Sequence, residues 1–309
     1  MNPYPSTSLL ALDWGTSSAR AYRLSAGGVV LDRREASLGV MQVREGQHAA
    51  ALVSLLGDWN ELRLPRIAGG MIGSRQGWIE VPYVDCPADT AALVAGLRTT
   101  PGGEMAIVPG LVHRDDDGVP DVLRGEETQI VGAVPEGDEG ILAVLPGTHS
   151  KWVRVESGRI VSFATYMTGE LFALLLQHSI LGRLAAPRAA EAALHHPVFA
   201  DGVARGLACD GLTHAIFAAR TRCLLGELAA EDVGDWLSGV LIGYEIAAAR
   251  RWAGASIPLS TPVQIIGSHV LVDRYQVALS LADVRSVAGP PEAAARGLFR
   301  IARLAGMVQ

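Results

Sequence analysis

Residues 9–12, LLAL, form a short unbroken apolar run that reaches Asp13, breaks into Gly-Thr-Ser-Ser, and then gives way to alternation at residues 19–24. An unbroken run of this length reads as a buried strand. The alternation reads as a strand with two unlike faces, Ala19, Ala21 and Arg23 on one and Arg20, Tyr22 and Leu24 on the other. The same order of events returns at residues 141–161, ILAVLPGTHSKWVRVESGRIV, which superposes Gly15 on Gly147, Thr16 on Thr148 and Ser18 on Ser150. Each copy is therefore predicted to be a β-hairpin that opens a three-strand meander.

Behind each meander the period changes. After the first copy, residues 48–62 and 90–100 carry helical spacing around a strand at 65–74 that runs into a Gly-rich loop. After the second, residues 169–182, 202–225 and 232–253 read as helices at 3.6 spacing. A short apolar strand at 262–267 then precedes helices at 270–282 and 291–305, the last with Pro at its start. The chain is thus expected to be an α/β protein of two lobes, residues 1–135 and 136–309, divided near VPEGDEG at 134–140.

Length agrees with two lobes, because 309 residues exceed the roughly 250–300 at which single cores stop growing. A formal charge of −6 disfavours nucleic acid, whose phosphates need a basic surface, and favours a small molecule. Cys86, Cys209 and Cys223 are too scattered for a disulfide framework or a zinc site, so reduced thiols and a cytoplasmic protein are expected. No stretch approaches the ~18 uninterrupted apolar residues of a membrane span, and MNPYPSTS lacks the basic region of a signal peptide.

The chemistry follows from the repeated turns. A tip of Gly, Thr and Ser presents backbone N–H groups and hydroxyls without bulk, so it can wrap a phosphate oxygen, and two facing tips make a polyphosphate clamp. Asp13, at the end of a buried strand beside the first tip, either holds Mg²⁺ or caps the turn. A Walker A loop is absent, which excludes a P-loop kinase.

The pair DWGTSSAR and LPGTHSKWV resembles the sugar kinase/heat-shock-70/actin superfamily. More narrowly, AGGMIGSRQGWIEVPYVDCPA, VLRGEETQIVGA, LPGTHSKWV and MTGELFALLLQHSILG are similar to the 2-dehydro-3-deoxygalactonokinase family along essentially the whole chain. The resemblance implies two actin-like (ribonuclease H-like) lobes with an interlobe ATP cleft, ATP and Mg²⁺ as cofactors, and phosphorylation of the 6-hydroxyl of a 2-keto-3-deoxy sugar acid. One position departs from the superfamily pattern: Leu145 stands opposite Asp13, where a second aspartate is common, so the second lobe offers little carboxylate to a metal.

Phosphoryl transfer calls for positioned phosphates, a metal and a carboxylate that takes the hydroxyl proton. Glu126 and Glu127 start a helix whose N-terminus favours ionised carboxylates; Glu126 is the first choice of base and Glu127 the second. Gly15, Thr16, Ser17, Gly147, Thr148 and His149 are assigned to the phosphates, His149 alternatively being a turn residue without a role. Lys151 is the single lysine among 26 Lys and Arg residues, a compact ammonium for a phosphate or the substrate carboxylate, or a solvated strand residue. Arg124 is the candidate for the sugar-acid carboxylate. Ser74, Gly77 and Trp78 are assigned to the sugar from one lobe, and Thr168 and Glu170 from the other; Trp78 alternatively packs the core and Glu170 caps its helix. Gly267 and Ser268 are assigned to adenosine, with Gly243 beside the adenine and Glu245 on the ribose, or both packing their helix.

The expected partner is a small sugar acid, with no nucleic acid, no membrane, and room for a homodimer. Two other readings stay open on the sequence: an exopolyphosphatase-like phosphohydrolase, and a nucleotide-gated regulatory protein. The second is disfavoured by the expectation that no DNA-binding or peptide-binding segment is appended.

Overall fold

The computed structural model describes residues 7–134, 140–186, 194–254 and 261–308. It divides into two compact units, one of Met1–Gly140, Val155–Phe163 and Gly289–Gln309, the other of Ile141–Arg154 and Ala164–Ala288.

In the first unit the apolar run becomes β1 (Leu9–Trp14), followed by β2 (Ala19–Leu24), β3 (Val30–Ala36), α1 (His48–Leu56), β4 (Arg66–Gly69), β5 (Val84–Asp85), α2 (Thr90–Ala95), β6 (Arg98–Thr99) and β7 (Ala106–Ile107). Then come β8 (Leu111–Arg114), β9 (Pro120–Leu123) and α3 (Glu126–Ala133). The main sheet has the order β3-β2-β1-β4-β7-β6, and a smaller one the order β5-β8-β9. β1 runs antiparallel to β2, with Leu12 opposite Ala21, and parallel to β4, with Asp13 opposite Gly69. That mixed pairing places β1 inside the sheet, which is why Leu9 to Leu12 are fully buried.

Two helices are shorter than the periodicity predicts. The helix expected at 48–62 ends at Leu56, where Gly57 takes a positive φ of 53° and a 3₁₀ turn follows to Glu61. The helix expected at 90–100 ends at Ala95, because Arg98–Thr99 pairs with β7 instead.

The second unit contains β10 (Ile141–Leu145), β11 (Ser150–Glu156), β12 (Arg159–Tyr166), α4 (Thr168–His178), α5 (His196–Ala208), α6 (Leu212–Leu224), α7 (Val233–Ala253), β13 (Val263–Ile265), α8 (His269–Leu281) and β14 (Ser286–Ala288). Its sheet order is β12-β11-β10-β13-β14, and the far end of the β11–β12 hairpin groups with the first unit, where Ile160 pairs with Ala88. The long helix expected at 202–225 is two helices, interrupted at Cys209-Asp210-Gly211. A core of Val144, Trp152, Phe199, Val203, Ile246 and Tyr275 fills the space beneath the sheet.

The last helix, α9 (Ala293–Leu304), belongs to the first unit and not to the second, where the expected boundary had put it. It packs on α3 so closely that a Cβ on Gly297 would lie 1.8 Å from the Thr128 carbonyl oxygen. Residues 135–139, in the segment expected to divide the lobes, lie outside the described residues.

Candidate functional site

In the first unit, β1 delivers Asp13 and then the Gly15–Ser18 turn. The turn is closed by the Gly15 N–H donating to the Ser18 carbonyl at 2.9 Å. Behind it, the N–H groups of Val40 and Met41 donate to the carbonyls of Gly15 and Thr16 at 3.0 and 3.2 Å, so the turn is held from its inner side. Thr16 and Ser17 are left exposed. Asp13 is partly exposed and lies 3.5 Å from Arg20. Burial pushes its pKa up, Arg20 pulls it down, and Glu35 adds to the rise.

At the start of α3 the two glutamates separate into different environments. The Arg124 N–H donates to Glu126 Oε2 at 3.0 Å and the Gly125 N–H to Glu127 Oε2 at 2.6 Å, so each carboxylate folds back over the helix N-terminus. Glu126 is half-buried, whereas Glu127 is fully buried and its Oε1 has no partner. Burial, and then the charge of Glu126, push the Glu127 pKa up to about 8.

Arg124 is buried with its guanidinium 4.2 Å from the Tyr83 ring. Its Nη2 donates to the Val81 carbonyl at 2.7 Å, while Nε and Nη1 have no hydrogen-bond partner. The Oγ of buried Ser74 is also without a partner. Ser74 follows Gly73, whose position is such that a Cβ would lie 3.0 Å from Arg124 Nη1. Buried polar groups left unpaired cost about 1–3 kcal/mol each, and an under-satisfied arginine next in the chain to two helix-start glutamates, with an unpaired serine adjoining the glycine it touches, is the pattern of a site built for a polar ligand. Gly77 and Trp78 complete the loop, Gly77 donating to the Ser74 carbonyl at 2.9 Å. Trp78 is half-buried against the core and stacks on His48 at 6.2 Å.

In the second unit Thr148 and His149 are exposed and Gly147 has open space where a Cβ would stand. The N-terminus of α4 is pressed against this turn. Glu170 N–H donates to the Thr148 carbonyl at 2.9 Å, and a Cβ on Gly169 would come 2.4 Å from the Gly147 carbonyl oxygen. His149 Nε2 pairs with the Glu170 carboxylate. Lys151 is not a solvated strand residue: it is buried, and its Nζ donates to Thr165 Oγ1 at 2.7 Å.

Gly267 and Ser268 are exposed at the end of β13, close to Pro146, with Ser268 at the N-cap of α8. Gly243 and Glu245 are both engaged inside the unit. Gly243 packs on α5, where a Cβ would meet the Val203 carbonyl oxygen at 2.4 Å, and Glu245 is buried, bonded to Trp152, Thr168 and Tyr275. For Gly243 this is the helix-packing alternative the sequence offered, and Glu245 is held in a hydrogen-bond network.

A feature the sequence reading missed is a cavity of about 170 Å³ lined by Gly147, Gly169, Phe172, Leu241, Leu271 and Arg274. Arg274 is fixed at its rim by Asp235 at 2.9 Å and Ser238 at 3.1 Å. The signal was present in α7, where Asp235, Ser238 and Glu245 interrupt a helix apolar nearly all round. Among the described residues no three His, Cys, Asp or Glu side chains gather into a metal cluster, and no helix is long and apolar enough to cross a membrane.

A profile of the 2-keto-3-deoxy-galactonokinase family matches residues 13–301. The 2-dehydro-3-deoxygalactonokinase of Escherichia coli (strain K12) is 37% identical over 282 residues, 91% of this chain and 92% of that protein. A protein assigned the same name in Rhizobium meliloti (strain 1021) is 38% identical over 300 residues, 95% of this chain and 96% of its own. A crystal structure assigned as a 2-dehydro-3-deoxygalactonokinase from Sinorhizobium meliloti superposes with a TM-score of 0.83 at 37% identity, covering 96% of this chain and 98% of that one. Both units have the actin-like (ribonuclease H-like) architecture, each opening with its β-meander.

Proposed function

Because the chain belongs to the 2-keto-3-deoxy-galactonokinase family, we propose that it transfers the γ-phosphoryl group of ATP to the 6-hydroxyl of 2-dehydro-3-deoxy-D-galactonate. The observation that carries the acceptor half of this reading is the unspent hydrogen-bonding capacity of two buried groups, Arg124, which precedes Glu126 and Glu127 in the chain, and Ser74, which adjoins the glycine packed on Arg124. A sugar acid supplies what those groups lack: a carboxylate for the guanidinium and hydroxyls for Ser74.

Glu126 is the base. It is half-buried and belongs to a helix N-terminus that favours its ionised form, whereas burial and the charge of Glu126 push the Glu127 pKa up to about 8 and favour its protonated form. Glu126 accepts the proton of the 6-hydroxyl as that oxygen bonds to the γ-phosphorus and the bond to the bridging oxygen of ADP breaks. Gly15, Thr16 and Ser17, with Gly147, Thr148 and His149, hold phosphate oxygens through N–H and side-chain donors. Gly77 and Trp78 shape the sugar loop around Ser74. Lys151 acts through Thr165 to stiffen the strand that leaves the second turn, and Thr168 and Glu170 set the face of α4 against that turn. The adenosine lies against Gly267 and Ser268, with the cavity beside Gly147 taking the base.

Asp13 fits Mg²⁺ by its donor chemistry, a partly exposed carboxylate only loosely engaged by Arg20 at 3.5 Å, since the ion takes one or two carboxylates and completes its shell with phosphate oxygens and water. When bound, the ion offsets charge on the phosphates.

Following ADP formation with ATP, Mg²⁺ and the sugar acid tests the reading. Sugar-acid-dependent ADP release is expected, with kcat lowered by at least 10²-fold in Glu126→Gln. Equal rates with and without the sugar acid would overturn it.

A further inference from the structure

Glu245 is 1% exposed in the middle of α7. Its Oε1 accepts from Trp152 Nε1 on β11 at 2.7 Å. Its Oε2 accepts from Tyr275 OH on α8 at 2.8 Å and from Thr168 Oγ1 at the start of α4. The Tyr275 hydroxyl in turn meets Ser150 Oγ, itself fully buried, at 2.9 Å. One carboxylate thus gathers four elements through an indole and hydroxyls.

What these elements share is the Gly147–His149 turn. Ser150 follows it directly, and Thr168 precedes Gly169, which presses on the Gly147 carbonyl. A carboxylate in the interior is costly and rarely justified by stability alone, since a well-packed apolar side chain often does as well. It does, however, offer several acceptor sites fixed in one plane, which no apolar side chain supplies. A turn that binds phosphate with its own N–H groups depends on such support, because a misplacement of even 1 Å is costly to binding and rate.

We propose that Glu245 is a positioning residue for the nucleotide: without touching the ligand, it fixes Ser150, Thr168 and Tyr275, and through them the Gly147–His149 turn and the N-terminus of α4. This rests on the reading that the turn binds ATP phosphates. A network that merely held the core together would lower stability when cut and leave nucleotide affinity alone.

The test is calorimetric titration of ADP into the full chain, alongside the KM values for ATP and for the sugar acid. Glu245→Ala is expected to weaken ADP binding and raise the KM for ATP by at least tenfold, with the KM for the sugar acid within twofold of wild type. Glu245→Gln keeps an acceptor for Trp152 and turns its amide toward two hydroxyls that can accept, so it restores ADP affinity to within threefold. Should Glu245→Ala fail to fold, Ser150→Ala cuts the same network with a smaller change, at a residue that does not line the cavity, and is expected to weaken ADP binding three- to tenfold. ADP affinity unchanged in every folded variant would overturn the proposal, as would Glu245→Gln behaving no better than Glu245→Ala. Wild-type protein that binds ADP but forms none with the sugar acid would instead sink the kinase reading and leave this proposal standing.

Discussion

Glu127→Gln exchanges a fully buried carboxyl group for an amide of nearly the same shape, and its main effect is on how stability varies with pH. The folded-state pKa is about 8, against an ordinary value of 4.5. Between those values the unfolded chain releases the proton and the folded chain keeps it, so this group makes the wild type less stable as pH rises. The slope is at most about 1.4 kcal/mol per pH unit, and over a window of about 3.5 units it accumulates to about 5 kcal/mol. Glutamine carries no such proton. Relative to wild type, the variant should therefore gain stability steadily from pH 4.5 to 8 and level off above, where both states of the wild type are ionised. Asp13 and Glu245, whose pKa values are also raised, are present in both proteins and drop out of the difference. Scanning calorimetry of the two proteins at pH 5, 6.5 and 8 reads it directly. A stability difference constant to within about 0.5 kcal/mol across that range would refute the assignment of Glu127 as a buried, protonated acid.

Arg124→Met should lower kcat/KM for the sugar acid by at least 10²-fold, since truncating a buried charge pair costs about 2–5 kcal/mol, while steady-state kinetics find the KM for ATP within twofold of wild type. Gly169→Ala forces a methyl group against the Gly147 carbonyl; overpacking of this kind costs about 1–3 kcal/mol, and an increase in the KM for ATP is expected. Gly297→Ala separates α9 from α3 by the same logic and should lower the calorimetric melting temperature by several degrees. Asp13→Asn should raise the Mg²⁺ concentration needed for half-maximal rate by at least tenfold, as measured by titrating the metal at fixed ATP.

The repeated meander was legible because its signal is local: a strand, a tight turn and an alternating strand are written within about 25 residues, and both copies fold as the pattern predicts. Helix ends were less so. Gly57 sits in a run whose spacing stays helical, and only its positive φ marks the stop. The place of α9 was not legible at all. Its amphipathic face states that it must be covered, but the cover is α3, more than 150 residues away in the chain, and the match is made by glycines whose meaning appears only when two backbones meet. The same holds in the site. The Glu126-Glu127 pair was visible as a helix start, yet which of the two would be buried depends on helix rotation against a neighbour. Glu245 was visible as a polar residue on an apolar helix, but its donors come from three other elements. Only the fold brings those donors to it.

The destination of the phosphoryl group is what distinguishes a sugar-acid 6-kinase from its alternatives. Incubation of the protein with ATP, Mg²⁺ and 2-dehydro-3-deoxy-D-galactonate, followed by phosphorus–proton correlation NMR of the product, should show one new phosphomonoester coupled to the C6 methylene protons, formed in step with ADP. Inorganic phosphate appearing in its place, or an ester at any other carbon, would contradict the proposed activity.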